Sequence, residues 1–174
     1  MAKSEVYMVL CDHVTVLLDV VTCVVLGDYI LHHNPSDPAI LAFARQLCKN
    51  KRHRKAQEEA DRSGEYEAFD QDQLKQLERM RKSAFLKVGR LNEYTLPILL
   101  DEDFCIALGR FIETNGTNDA TVRRIGRRLL QAKEFILKRN IESVKSRRKK
   151  GESFQHIGKE LGISAATASR YSKL

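Results

Sequence analysis

Lysine and arginine are the residues of this chain whose placement points most directly to a chemistry. Of the 30 in the sequence, 15 stand in residues 1–120 beside 19 Asp and Glu, a local balance of −4. The other 15 are gathered into residues 121–174 beside only 4 acids, a balance of +11. Cations concentrated on one part of a chain release counterions when they meet nucleic-acid phosphate, so this polarity suits a phosphate-binding end on a neutralising body. Other groups capable of chemistry are less organised. The trio Asp101-Glu102-Asp103 has the composition of a metal site, yet three acids at a helix start complement the helix dipole without a metal, and no metal ligand is assigned. Cys11, Cys23, Cys48 and Cys105 contain no close pair of the kind that holds zinc or forms a redox motif, and they read as small apolar residues kept reduced. The basic run 49–55, with His53 inside it, offers an additional phosphate contact or, more simply, an exposed helix face balanced by Glu58, Glu59 and Asp61. No phosphate-cradling glycine loop, paired-histidine motif or nucleophile elbow appears, so neither an enzyme nor a cofactor is expected.

The elements that must position the basic end are expected to be helices. Nine glycines, three prolines and no tryptophan in 174 residues leave few of the turns that many short strands need, which predicts a mainly α protein. In residues 5–31 the valines and threonines favour strand, whereas Asp12, Thr15, Asp19 and Thr22 recur at spacings that put them on one side of a helix. The spacing predicts a buried helix; an apolar helix of this kind needs a cover, and a second subunit would supply it, making this the expected dimer interface. The apolar run 14–26 is too short and too polar for a membrane span, and no signal-peptide pattern accompanies it, so a cytoplasmic protein without membrane contact is expected.

Asp37 and Pro38 predict a helix start, with the helix running to about Arg62 and ended by Gly64. Asp70 is expected to cap another reaching about Val88, with Leu74, Leu77, Met80, Ala84 and Val88 on one packed face. Pro97 falls in a leucine-rich loop, after which Asp101 begins a short helix through Phe111. Turn and capping residues at 114–119 mark a boundary, dividing a helical body (1–116), available to a protein partner, from a basic end (117–174). One long helix is expected from there to Lys150, with Val122, Ile125, Leu129, Ala132 and Ile136 as its apolar stripe, Arg123, Arg124, Arg127 and Arg128 beside it, and Gly151 as its stop.

Beyond Gly151 the string SFQHIGKELGISAATASRYSKL reads as two short helices around Gly162, capped by Ser153 and Ser164. Ile157, Leu161, Ile163, Ala168 and Tyr171 would form a small core, Gly158 would let the helices approach, and Leu137, Ile141 and Val144 of the preceding helix would close the third side. This trihelical end, residues 146–174 above all, resembles the helix-turn-helix of resolvase and invertase recombinases and of many bacterial transcription regulators, which carry similar I-x-x-x-LGIS-x-x-T-x-x-RY strings. The resemblance implies that residues 164–170 open a recognition helix in the major groove. It places Thr167, Ser169 and Arg170 toward bases or phosphates, with Arg170 able to grip guanine bidentately and Ala165 and Ala166 close enough to touch a thymine methyl. Ser153 and Gln155 would hold backbone phosphate, with Arg147, Arg148, Lys149, Lys150 and Lys173 adding sequence-independent attraction.

The likeness stops at this tip. A serine recombinase needs a nucleophilic serine near the N-terminus with arginines around it, and the first 44 residues hold no arginine and only Ser4 and Ser36. The expected function is therefore sequence-specific binding of double-stranded DNA by a homodimeric transcription regulator of a bacterium or phage. An architectural or assembly factor of a phage, plasmid or mobile element is the alternative, and a divergent recombinase-like protein a weaker one.

Overall fold

The computed structural model describes residues 12–65, 71–89 and 92–174, the side chain of Leu74 excepted. The chain is mainly α, with one small sheet at its centre. In order, strand β1 (His13–Asp19) is followed by helices α1 (Val20–His32), α2 (Pro38–Cys48), α3 (Lys51–Ser63) and α4 (Gln71–Ser83). Strands β2 (Leu86–Val88) and β3 (Thr95–Asp101) come next, then α5 (Glu102–Asn115), α6 (Ala120–Leu129), α7 (Ala132–Lys149), α8 (Phe154–Leu161) and α9 (Ala165–Tyr171).

The sheet corrects the expectation of one buried helix over residues 5–31. Residues 13–19 are a strand, and only from Val20 does a helix run; residues 5–11 lie outside the described residues. β1 sits between its partners in the order β2-β1-β3, parallel to β2 (Val16 opposite Leu86, Leu18 opposite Val88) and antiparallel to β3 (Val16 opposite Ile98, Leu18 opposite Leu96). Val14, Val16, Leu17 and Leu18 are all buried, so both faces of the strand are covered and the usual alternation is missing. A continuous apolar run of that sort carries no period that separates strand from helix. Asp19, placed with the polar helix face by its spacing, instead ends the strand and caps α1, its Oδ1 accepting from the Thr22 amide at 2.8 Å.

Cover for this apolar segment is found within the chain itself. The inward residues of β1 and α1, among them Val16, Cys23, Leu26 and Ile30, share one core with Ile40, Leu47, Phe85, Leu100, Leu108 and Ile125 of the same chain. Buried Gln57 of α3 accepts from the Val21 amide at 3.0 Å, and Tyr29 donates to the Gly116 carbonyl at 2.9 Å, so polar groups also tie α1 down. Cys23 and Cys105 lie in this core, where burial pushes both thiols up to about 12 and leaves them unreactive.

Several boundaries differ from those expected. The helix begun by Asp37 and Pro38 breaks at Lys49-Asn50 into α2 and α3, where the Asn50 side-chain Nδ2 donates back to the Leu47 carbonyl at 3.1 Å; Gly64 then closes α3 at φ 73°. α4 ends at Ser83, and Ala84 and Val88 are buried beyond it, Val88 within β2, while Asp70 lies outside the described residues. Pro97 lies in edge strand β3, where a missing amide is tolerated. Asp101 caps α5 through the Phe104 amide at 2.8 Å, the non-metal role assigned to the acidic trio, though α5 extends past Phe111 to Asn115. The long basic helix is two, α6 and α7, broken at Leu130-Gln131. Val122, Ile125, Leu129, Ala132 and Ile136 keep one buried stripe across that break. Among the described residues no helix is long and apolar enough to cross a membrane.

Candidate nucleic-acid interface

The terminal helices form a second, separate core. Val144 of α7, Ile157 and Leu161 of α8 and Ala168 of α9 are buried together, with Phe154, Ile163 and Tyr171 packed against them. Ile157 and Ala168 are wholly enclosed. Val144 closes the third side as expected, but Leu137 is 41% exposed. Its neighbour Ile136 faces the body core, and one residue further round the helix points to neither core.

Local geometry fixes the angle between α8 and α9. Ser153 caps α8 through the His156 amide at 3.2 Å, and Ser164 caps α9 through the Thr167 amide at 3.0 Å. Between them Gly162 adopts φ 64°, ψ 23°, a left-handed conformation that L side chains take rarely, and its amide donates to the Gly158 carbonyl. Gly158 is where the helices approach: a Cβ there would lie 2.6 Å from the Ile163 carbonyl oxygen and 3.2 Å from the Ala165 nitrogen. Only glycine fits this crossing without movement.

The candidate contact residues divide into those left outward and those engaged within the fold. Ala166, Arg170 and Lys173, and Gln155 of α8, are exposed; Ala165, Thr167 and Ser169 are half-buried. Thr167 Oγ1 lies 2.9 Å from Ser164 Oγ, so the hydroxyl expected to face bases or phosphates is bound to the serine that caps the helix. Ser153 is exposed but committed to its cap.

The basic run divides in the same way. Arg147 pairs with Glu152 at 2.8 Å, both side chains only 25% exposed. Arg148 stacks 4.3 Å above the Phe154 ring and donates to the Glu152 carbonyl. These two arginines therefore hold the corner between α7 and α8, while Lys149 and Lys150 are exposed. Glu152 was not singled out from the sequence, although it is the one acid that follows the cations 147–150 directly, which is the signal that it pairs with them. Exposed Lys145 and Lys159 add positive charge to the same three helices.

Further basic side chains lie on the body. Arg123, Arg124 and Arg127 of α6 are exposed, whereas Arg128 is built in: it stacks 4.5 Å over Phe85 and donates to the Phe85 carbonyl at 3.1 Å. In the run 49–55, Lys51 pairs with Asp28 at 2.8 Å and Arg54 with Glu58 at 2.7 Å. The Lys51 hydrogen bond holds the Asp28 carboxyl below the ordinary carboxylate range. Among the described residues no three His, Cys, Asp or Glu side chains converge as a metal site. Comparison of the chain with protein-family models, with curated proteins and with solved structures finds no match in any of the three.

Proposed function

We propose that this chain binds double-stranded DNA through its last three helices, α9 entering the major groove as the recognition helix of a helix-turn-helix, and that it acts in the cytoplasm as a sequence-specific transcription regulator. The observation that carries the proposal is the α8–α9 corner. Gly158 and Gly162 set two short helices at close range, both N-termini are capped by serine, and the outward face of α9 presents Ala166 and Arg170, with exposed Lys173 just beyond its end. A flat, small face with a long cation at its end suits a groove, since alanines permit close approach and an arginine reaches a guanine edge. The likeness of this string to the tips of resolvases, invertases and bacterial regulators supports the same function.

The phosphate contacts are reassigned. Lys149, Lys150, Gln155 and Lys173 are the proposed contacts, because Arg147 and Arg148 are occupied at the corner. A homodimer would set two tips one helical turn of DNA apart, on a palindromic site. The alternative, an assembly or architectural factor, draws on the size of the body, whose core is far larger than three terminal helices need for support.

Selection of bound sequences from random duplex DNA by the intact protein, at two salt concentrations, tests the proposal. Enrichment of a palindromic motif is the expected result. Salt-sensitive binding without a motif would favour the architectural alternative, and absence of binding would refute both.

A further inference from the structure

Helix α6 is apolar on one side and cationic on the other. Val122, Ile125, Gly126 and Leu129 are buried in the body, and Gly126 is seated so closely that a Cβ there would lie 2.6 Å from Ile112 Cγ2. Asp119 fixes the start of the helix, accepting from the Thr121 and Val122 amides at 2.8 and 2.9 Å. Arg123, Arg124 and Arg127 are therefore held exposed on a well-anchored helix.

Their charge has little local compensation. Residues 120–133 hold five Lys and Arg and no acid. Of the flanking acids, Asp119 is committed to its cap, Glu134 pairs with Lys138 at 2.9 Å, and Glu113 borders the hollow that Arg123 and Arg127 share. Among the described residues no salt bridge joins Arg123, Arg124 or Arg127 to a carboxylate. Arg123 donates instead to the neutral Thr117 carbonyl at 2.8 Å. Lys51 and Arg54 of the other basic run on the body differ, since each meets an acid. Like charges three and four residues apart, as in Arg124–Arg127 and Arg123–Arg127, destabilise a helix. A row of phosphates relieves that repulsion, and the planar guanidinium pairs with phosphate oxygens two at a time. The helix also stands within reach of a duplex held by the tip. α7 begins two residues beyond α6, and its 18 residues carry the terminal helices about 27 Å along its axis, less than the roughly 34 Å of one DNA turn.

We propose that the arginine face of α6 is a second DNA contact, holding the phosphate backbone of the same duplex whose major groove α9 enters. The proposal rests on the DNA-binding function of the tip and adds a division of labour to it. α6 supplies affinity without regard to sequence, and α9 supplies selectivity.

The full-length chain is titrated with the selected site and with random duplexes of about 20 base pairs, two helical turns, over a range of salt concentrations. Arg124→Gln/Arg127→Gln is compared with Lys51→Gln/Arg54→Gln, which removes the same charge from cations already paired with acids. The first pair should lower the slope of log affinity against log salt by about 2, close to 0.9 for each phosphate released, and weaken selected and random sequences alike. The second should leave the slope unchanged. Arg124→Lys/Arg127→Lys should keep it too, which separates lost charge from lost fold. An unchanged slope in the α6 glutamine pair, or an equal fall in both glutamine pairs, overturns the proposal. So does binding of poly-L-glutamate that depends on Arg124 and Arg127 while DNA binding does not, since that assigns an acidic protein partner. Random-duplex binding that needs α6, with no motif and no response to Arg170→Ala, keeps this contact and removes sequence reading by α9. A motif read through Arg170 and indifferent to the α6 variants does the reverse, and no DNA binding at all refutes both.

Discussion

The body and the three terminal helices are held together by different means. In the body, β1 and α1 lie at the centre of one large core, and the strand is paired along both edges with strands 70 to 88 residues away in sequence. The terminal helices enclose only Val144, Ile157, Leu161 and Ala168, and their angle is set by two serine caps, one left-handed glycine and one glycine at the crossing. Burial stabilises the first, and local backbone chemistry defines the second. The two should therefore fail separately and for different reasons.

The largest effect is expected from Leu108→Ala in α5, a side chain with no exposed surface. Loss of its packing should cost about 2–5 kcal/mol and lower the main thermal transition. Hydrogen exchange in α8 and α9 should change little, and exchange rising in step there would show that the two regions share one folding unit. Gly158→Ala comes next. A methyl pressed against the Ile163 carbonyl should cost about 1–3 kcal/mol and remove protection from residues 154–171 while the body stays closed.

Paired cap deletions sharpen the contrast. Ser164→Ala should cost about 1 kcal/mol and visibly loosen α9, whose only fully buried residue is Ala168. Asp101→Ala should cost a similar amount, yet leave α5 protected, because Cys105, Leu108 and Ile112 anchor it. Equal exchange in both helices would contradict the distinction.

The smallest effect concerns acid. Lys51 lowers the Asp28 carboxyl in the folded chain, so this pair's contribution is complete above the ordinary carboxylate value of about 4 and is lost as pH falls through the lower folded value. Both side chains are substantially exposed, which keeps the contribution small. Asp28→Asn should flatten the acid side of the body's stability curve slightly and leave the terminal helices untouched, as read by thermal midpoints between pH 3 and 6.

The same contrast explains what the sequence made legible. Ser153, Gly158, Gly162 and Ser164 act on neighbours within a few residues, so their spacing alone indicates caps, turn and crossing. Asp37, Asp101 and Asp119 were equally readable as helix starts, each side chain accepting from an amide two or three residues on. β1 was not, because the pairing that makes it a strand lies far along the chain and its unbroken apolar run has no period. The break between α6 and α7 was hidden because the buried stripe continues through it with no glycine or proline to mark it. Within the candidate site, exposure could not be inferred from residue type. Arg147, Arg148, Ser164 and Thr167 have the chemistry of DNA contacts, but Glu152, Phe154 and each other take up their side chains.

The central claim, that the outward face of α9 reads DNA, is tested most directly by comparing wild type with Arg170→Ala on the selected site and on random duplex DNA. The variant should lose about 1–3 kcal/mol at the selected site and little at random DNA, with an unchanged thermal midpoint because Arg170 is exposed. Equal affinity of the two proteins for the selected site would contradict the claim.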